Sequence, residues 1–195
     1  MILEPVIIDV KNSTKELKGK VLPQTLSKLA RIALQSCAKK HKITLPSPLP
    51  QEKDNGAPLS FDGNYWSISH KTDFVMAAIS NNSFGVDVEK IYPRSPELLN
   101  YVLNEYEQSL IPDTEEKWYY FYRFWTGKES ILKAKSIGMA GLSKCRVKNI
   151  INSELLEIIY EDKLFHVKQI HRNNHIFAIS CEKNSVINWN FEKIG

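Results

Sequence analysis

The sequence has few cysteines, no long hydrophobic run and no disulfide or zinc pattern. Its three cysteines, Cys37, Cys145 and Cys181, are an odd number, and no two of them form a C-x-x-C pair. Neither a disulfide framework nor a structural zinc site is expected, so the thiols should be buried or idle. The short apolar run at the N-terminus is interrupted by Glu4 and Pro5. A signal peptide and a membrane span are therefore not predicted, and a cytoplasmic protein is expected.

Several catalytic motifs are also missing. The chain has no P-loop, no G-x-G-x-x-G, no protein-kinase catalytic loop and no G-x-S-x-G nucleophile elbow. These absences argue against a P-loop enzyme, a kinase and a serine hydrolase.

Charge is unevenly distributed along the 195 residues, whose net charge is +4. Between Lys11 and Lys42 there are nine lysines and arginines but one acid, Glu16. Such a face either keeps the protein soluble or attracts a phosphorylated cofactor or an acidic partner. Nucleic acid is not expected, because the basic residues are not interleaved with aromatic ones.

The hydrophobic pattern predicts an α+β fold. A strand is expected at residues 2–10, an amphipathic helix at 22–40, and further helices at 96–106 and 113–136. Two meanders of three antiparallel strands are predicted, at 65–90 and at 154–181. A weak repeat relates residues 68–80 to residues 170–180, which suggests a duplicated chain, or pseudodimer. We therefore expect two similar halves, 1–94 and 95–195, each a meander packed with helices, and an active site at their junction.

Two short segments carry the candidate chemistry. In the third strand, Asp87 and Glu89 alternate with apolar residues, so their side chains should point to one face. In the long helix, Glu129 and Lys133 are one turn apart on a shared face with Lys128 beside them. Carboxylates of this kind can hold Mg2+, while the ammonium groups hold phosphate oxygens. Taken singly, each motif is equally typical of a solvated strand face or a salt-bridged helix.

The two motifs together resemble a known pair. Gly85-Val-Asp-Val-Glu89, followed by Phe124-Trp-Thr-Gly-Lys-Glu-Ser-Ile-Leu-Lys133, is similar to the paired signature of the 4'-phosphopantetheinyl transferases. The length and the repeat resemble the pseudodimeric, surfactin-synthetase-activating type of that family. The resemblance covers residues 25 to 181.

The resemblance implies an activity and a site. The residues matching Asp87, Glu89 and Glu129 would bind Mg2+, with Mn2+ as an alternative, and those matching Lys128 and Lys133 would contact the pyrophosphate of coenzyme A. The implied reaction transfers the phosphopantetheine arm to a serine of an apo acyl or peptidyl carrier protein, and adenosine 3',5'-bisphosphate leaves. We expect Glu129 to act as the base, directly or through a water, and Lys133 to stabilise the leaving phosphate. A monomer is expected, because the duplication supplies both halves.

The adenosine 3'-phosphate is assigned to a separate group. Ser69-His70 matches the family's S-H pair, whose histidine contacts this phosphate. Relatives commonly have G-K-P where this chain has Gly56-Ala57-Pro58, so an expected lysine is missing. We hypothesise that Lys71, or a residue of the first long helix, supplies the lost charge. The candidates in that helix are Lys28 and Arg31.

Two further positions and two alternatives remain open. Glu105 could be another acidic residue near the metal or an ordinary surface glutamate, and residues 140–143 match a loop that often reads K-G-L-S in relatives. The protein could instead be another Mg2+-dependent transferase of phosphoryl or nucleotidyl groups. It could also be a catalytically silent module that binds coenzyme A or a carrier protein.

Overall fold

The computed structural model describes residues 1–52 and 57–193. The strands are β1 Ile2–Leu3, β2 Val6–Asp9, β3 Tyr65–Lys71, β4 Phe74–Ser80, β5 Val86–Lys90, β6 Cys145–Asn152, β7 Leu155–Tyr160, β8 Lys163–Arg172, β9 His175–Cys181, β10 Val186–Ile187 and β11 Asn190–Lys193. The helices are α1 Lys11–Thr14, α2 Val21–Lys40, α3 Pro96–Val102, α4 Glu105–Ser109 and α5 Lys117–Ala134, and a 3₁₀ helix spans Gly138–Lys144.

One mixed sheet, one antiparallel sheet and two long helices form most of the fold, which confirms the α+β class. A four-stranded sheet has the order β11-β2-β4-β3, and a five-stranded sheet has the order β5-β9-β8-β7-β6. The pairs are antiparallel except for β11 with β2, and the two-residue strands β1 and β10 form a separate parallel pair.

Two strands at the centre of the molecule are buried on both faces. In β4, Val75 and Ala77 pack under helix α2, while Met76 faces the other sheet. In β9, Ala178 packs under helix α5, while Phe177 faces the other sheet. The layers therefore run α2, four-stranded sheet, five-stranded sheet, α5. A sheet that is covered on both faces has continuous apolar strands in place of alternating ones.

The predicted N-terminal meander is wrong in its third strand. Strands β3 and β4 pair as expected, but β5 pairs with β9 of the other sheet, with Asp87 opposite Ala178. Both edges of β4 are already occupied, by β2 on one side and β3 on the other. Strand β5 therefore cannot pair with β4 as the third strand of a meander, and it extends the second sheet. The C-terminal meander β7-β8-β9 is confirmed, with β6 added at its edge.

Other boundaries differ in detail. The single helix expected at 96–106 is two short helices, because Leu103 is extended and the side chain of Asn104 caps a new helix by accepting from the Glu107 amide. The chain also returns at its C-terminus, where β11 pairs with β2. The pseudodimeric relation of the two halves, and their boundary at residue 94, remain predictions.

The cysteines behave as expected from their number. Cys37 and Cys145 are buried, Cys181 is half-buried, and all three are free thiols. No described helix combines the length and the apolar character needed to cross a membrane.

Candidate active site

Gly85, directly before strand β5, lies against the backbone of helix α5. A Cβ atom at this position would clash with the backbone carbonyl of Ser130 and lie 2.6 Å from the backbone nitrogen of Ala134. No side chain larger than hydrogen fits there, because both neighbours are backbone atoms that cannot turn away. This contact brings the carboxylate of Asp87, two residues further on, to Lys133 in the last turn of the helix.

Asp87, Ser69 and Lys133 form one hydrogen-bonded group. The Lys133 ammonium donates to Oδ1 of Asp87 at 2.6 Å and to Oγ of Ser69 at 2.9 Å. The Ser69 hydroxyl donates to the same Asp87 oxygen at 2.8 Å. Asp87 and Ser69 are buried, whereas the Lys133 side chain is about one-third exposed. The three residues come from β5, β3 and α5, so the group ties the two sheets to the helix.

Two serines of β3 also hold the outer edge of β5. The Val86 amide donates to Oγ of Ser67 at 3.1 Å, and the Val88 amide donates to Oγ of Ser69 at 3.3 Å. The opposite edge of β5 is paired with β9. These hydroxyls satisfy amides that would otherwise be unpaired at a buried sheet edge. The serine of the S-H pair thus positions the carboxylate strand.

The negative charge of Asp87 acts on the carboxyl groups of Glu89 and Glu129. The Glu89 carboxylate pairs with the ammonium of Lys71 at 2.7 Å. Burial raises the pKa of Glu89, and the negative charge of Asp87 raises it further. Burial likewise raises the pKa of Glu129 to about 7, and the charge of Asp87 is the next cause. The charge of Asp87 therefore reaches both carboxyl groups, one on β5 and one on α5.

The carboxylates of Asp87, Glu89 and Glu129 suit a hard divalent cation, although they do not form a complete coordination site. Within residues 1–52 and 57–193, no three side chains of His, Cys, Asp or Glu are already arranged around a common point. However, Oδ2 of Asp87 is buried and has no hydrogen-bond partner among the described residues, which is costly for a charged oxygen. Mg2+ takes one or two carboxylates and keeps waters or phosphate oxygens as its other ligands. Asp87, Glu89 and Glu129 are the residues that would hold it.

His70 lies beside the same group. It is half-buried at the end of β3, and burial lowers its pKa, with the positive charge of Lys133 as the next cause. A neutral imidazole next to two lysines can donate a hydrogen bond to a phosphate without adding to their repulsion. The structure therefore places Ser69, His70 and Lys71 at the end of β3, near Asp87 and near the last turn of helix α5.

Lys128 is placed elsewhere, which corrects the expectation that it shares a face with Lys133. Its ammonium is 2% exposed and donates to the carbonyl of Val102 and to Oε2 of Glu107, both at 2.7 Å. Five residues along an α-helix correspond to a rotation of about 140° between the two side chains. Lys128 therefore points to α3 and α4, and Lys133 points to β5.

Glu107 is a buried acid that the sequence interpretation missed. It is fully buried, accepts from the amides of Asn104 and Val147 at 2.9 and 2.6 Å, and pairs with Lys128. Its signal was the N-x-x-E spacing of a capping box, in which the acid follows the capping residue by three positions. Glu105, which the resemblance offered, is on the surface.

The predicted substitutes for the missing lysine are dispersed. Lys28 is exposed, and the guanidinium of Arg31 donates to Ser27 in its own helix. Arg31 also lines a surface cavity of about 410 Å³ with residues 45–49 and Gln51. Gly56 lies outside the described residues. Of the proposed substitutes, Lys71 is the one that the structure places in the carboxylate group.

The segment that carries these acids matches a known family. The model of the 4'-phosphopantetheinyl transferase superfamily matches residues 83–182, which is 100 residues and just over half of the chain. The chain belongs to the 4'-phosphopantetheinyl transferase superfamily. The matched segment runs from β5 to β9 and includes Asp87, Glu89, Glu129 and Lys133.

Individual relatives in this superfamily match over 78 to 128 residues. The 4'-phosphopantetheinyl transferase Sfp of Bacillus subtilis (strain 168) is 33% identical over 78 residues, which is 39% of this chain and 35% of the relative. The 4'-phosphopantetheinyl transferase psf-1 of Bacillus pumilus is 28% identical over 98 residues, or 48% and 42% of the two chains. The 4'-phosphopantetheinyl transferase gsp of Aneurinibacillus migulanus is 28% identical over 128 residues, or 59% and 53%. The matches thus span from about a third to about half of these curated relatives.

Proposed function

We propose that the protein transfers the 4'-phosphopantetheine arm of coenzyme A to a serine of an apo acyl or peptidyl carrier protein. The observation that supports this most directly is the convergence of Asp87, Glu89 and Glu129 with Lys133 at the contact between β5 and α5. Family membership supports the same chemistry. We further propose that the protein is cytoplasmic and monomeric.

The reaction exchanges one phosphorus–oxygen bond for another. The serine oxygen forms a bond to the phosphorus that carries pantetheine, and the bond from that phosphorus to the bridging diphosphate oxygen breaks. Adenosine 3',5'-bisphosphate leaves with the electron pair, and the serine proton is transferred to a base. No oxidant or reductant is needed.

Asp87, Glu89 and Glu129 would hold Mg2+, or Mn2+ in its place. The cation, when bound, would neutralise negative charge on the diphosphate as the leaving group departs. Asp87 is held for this role from one side by Ser69 and Lys133, which leaves its Oδ2 without a protein partner.

Lys133 and Glu129 are assigned the remaining steps. Lys133 is half-buried at the junction and would hold a diphosphate oxygen, where its charge stabilises the leaving group. Glu129 would take the serine proton, directly or through a water, because its carboxylate lies at the site and no histidine falls inside either motif.

The cofactor's 3'-phosphate is assigned to His70 and Lys71. They lie together at the end of β3, and Lys71 supplies the positive charge that relatives have at the position of Ala57. The structure supports no direct contact of Lys128 with the pyrophosphate, since its ammonium is buried against Glu107. If Lys71→Ala discriminated between coenzyme A and 3'-dephospho-coenzyme A as well as the parent does, the assignment of Lys71 would be wrong.

The test is intact-protein mass spectrometry of apo carrier proteins incubated with this protein, coenzyme A and Mg2+. A chelator and the Asp87→Ala variant serve as negative controls. Asp73→Ala is the matched variant, because Asp73 is also a partly buried carboxylate in an ion pair with a lysine, Lys90. We expect a mass gain of one phosphopantetheine arm with the parent and with Asp73→Ala, and none with the chelator or with Asp87→Ala.

The alternative, a catalytically silent module, predicts a different result in the same experiment. Coenzyme A would then bind with normal affinity, but no carrier in a panel from fatty acid, polyketide and nonribosomal peptide synthesis would gain mass. That combination would overturn the proposed transfer.

A further inference from the structure

Glu89 is paired with an ammonium group in the protein without cofactor. The Nζ atom of Lys71 lies 2.7 Å from Oε2 of Glu89, and the carboxylate side chain is 14% exposed. Lys71 is the last residue of β3, one position after His70. Three acids, Asp87, Glu89 and Glu129, face two cations here, Lys71 and Lys133, so the protein's own side chains neutralise part of the charge.

The two lysines are held differently. Lys133 donates to both Ser69 and Asp87, whereas the Lys71 ammonium makes a single ion pair, with Glu89, within the described part of the chain. The Lys71 side chain is one-third exposed and ends a flexible four-carbon stem. A single ion pair at this exposure holds a lysine weakly. Lys71 can therefore leave Glu89 without disturbing the strand.

A divalent cation and Lys71 would compete for the same carboxylate. Glu89 cannot give its full charge to a metal while Lys71 remains 2.7 Å from Oε2. Once released, the ammonium would be an unpaired charge one residue from His70, which the proposed function assigns to the cofactor's 3'-phosphate. Filling one subsite would then improve the other, and such coupling is reciprocal.

We propose that Lys71 is an exchangeable internal cation, which occupies Glu89 in the free protein and is transferred to a phosphate of coenzyme A when the divalent metal binds. The inference rests on the proposed function for the location of the metal and of the phosphate. It adds that this one side chain couples the two binding events. Lys71 is a positioning residue in this scheme and does not touch the reacting atoms.

The first measurement is the binding of Mn2+ to the intact protein without coenzyme A, in which electron paramagnetic resonance detects the free ion. Lys71→Met removes the competing charge, so we expect its Kd for Mn2+ to fall roughly three- to five-fold, the scale of one partly exposed ion pair. Lys71→Arg keeps the charge and should bind Mn2+ nearly as the parent does. Lys90→Met is the matched control, because Lys90 pairs with Asp73 at 2.8 Å and is 37% exposed.

The second measurement is coenzyme A affinity by calorimetry, with and without Mn2+. Lys71→Met should weaken the binding of coenzyme A, which is the opposite of its effect on Mn2+ binding. Mn2+ should also enhance the binding of coenzyme A less in this variant than in the parent. A lysine that merely stabilised the fold would not tighten one ligand and loosen the other. Circular dichroism of each variant checks that the strands are intact, and Lys71→Gln gives a second neutral side chain at the same position.

The outcomes separate the two proposals. An unchanged or higher Kd for Mn2+ in both neutral Lys71 variants, while Asp87→Asn weakens Mn2+ binding, would overturn the exchange and leave the proposed metal site standing. Mn2+ binding that is insensitive to Asp87→Asn in every background would overturn the metal site itself, and the exchange with it. Tighter Mn2+ together with weaker coenzyme A in the neutral variants would support both.

Discussion

The ammonium of Lys133 lies 2.6 Å from Oδ1 of Asp87, although the two residues are 46 positions apart in the chain. The contact joins the last turn of helix α5 to the middle of strand β5. It depends on Gly85, which lets the strand touch the helix backbone. The carboxylate that we propose to bind metal and the ammonium that we propose to bind phosphate are thereby held side by side.

Lys133→Met should reduce transfer much more than it reduces stability. The side chain is 31% exposed, so water can partly replace its ammonium beside Asp87, but the leaving phosphate loses its cation. We expect kcat/KM to fall by about 100-fold or more, in the range found when one stabilising donor is removed. Lys135→Met is the control, since Lys135 is an exposed lysine that lies over the ring of Phe165. Equal activity in the two variants would contradict the role of Lys133.

Glu129→Gln should lower turnover far more than it lowers stability. The amide keeps the shape of the side chain but cannot take a proton or give a full charge to a cation. We expect a loss of about 100-fold or more in kcat, measured by carrier modification under saturating coenzyme A. Glu154→Gln, at an exposed position, serves as the control. Near-parental turnover in Glu129→Gln would exclude it as the base.

Lys128→Met should destabilise the protein, in contrast to Lys133→Met. It would leave Glu107 as a buried charge that still has two amide donors but no cation. Loss of one member of a buried ion pair costs about 3–5 kcal/mol in the free energy of unfolding, measured by urea denaturation. The double variant Lys128→Met/Glu107→Gln should lose less than the sum of the single variants. Additive losses would show that the two side chains are not energetically coupled.

Gly85→Ala should be severely destabilising because there is no space for the added methyl group, and not because of the backbone φ angle. The added methyl would meet the backbone of Ser130 and Ala134, and neither can rotate away. We expect a loss of about 3 kcal/mol or more in the free energy of unfolding, or an insoluble protein. Gly19→Ala is the comparison, because Gly19 has φ of +57° but nothing within 4 Å of an added Cβ. That variant should lose only about 1 kcal/mol, and a larger loss in Gly19→Ala than in Gly85→Ala would refute the steric argument.

Alkaline pH should weaken the fold through the buried thiols. Burial raises the pKa of Cys37 from 9.0 to about 11 and that of Cys145 from 9.0 to about 12. The folded state therefore keeps thiol protons that the unfolded state releases above pH 9, so stability present at pH 8 is lost as pH rises. Each thiol should cost about 1 kcal/mol by pH 10.

Urea denaturation at pH 8 and pH 10 checks the contribution of the thiols. The loss between the two pH values should be smaller in Cys145→Ala than in the parent, even though the variant has a lower stability at both. At pH 8 the native protein should react slowly with iodoacetamide at both buried positions, because the thiolate is the reactive form. Rapid alkylation of Cys145 in the native protein would contradict its burial.

Local patterns were enough to predict most elements and the identity of the carboxylates. Alternation along residues 86–90 and the helical spacing of Glu129 and Lys133 are short-range properties, so they survive folding unchanged. The central strands were predicted as continuous apolar runs, and the structure shows both of their faces buried. Strand β6 was missed because its alternation of buried and exposed residues lasts only over residues 145–148 and is followed by two register shifts.

Only the tertiary structure decided which elements meet. The sequence determined that Asp87, Glu89, Glu129 and Lys133 exist at the right local spacing, but not that β5 would leave its hairpin for β9. That choice depends on the occupied edges of β4, which is a property of the assembled sheet. The ion-pair partner of Lys128 was likewise decided by a residue that is distant in sequence. A buried ammonium needs an acidic partner, and the capping box of α4 places Glu107 beside it.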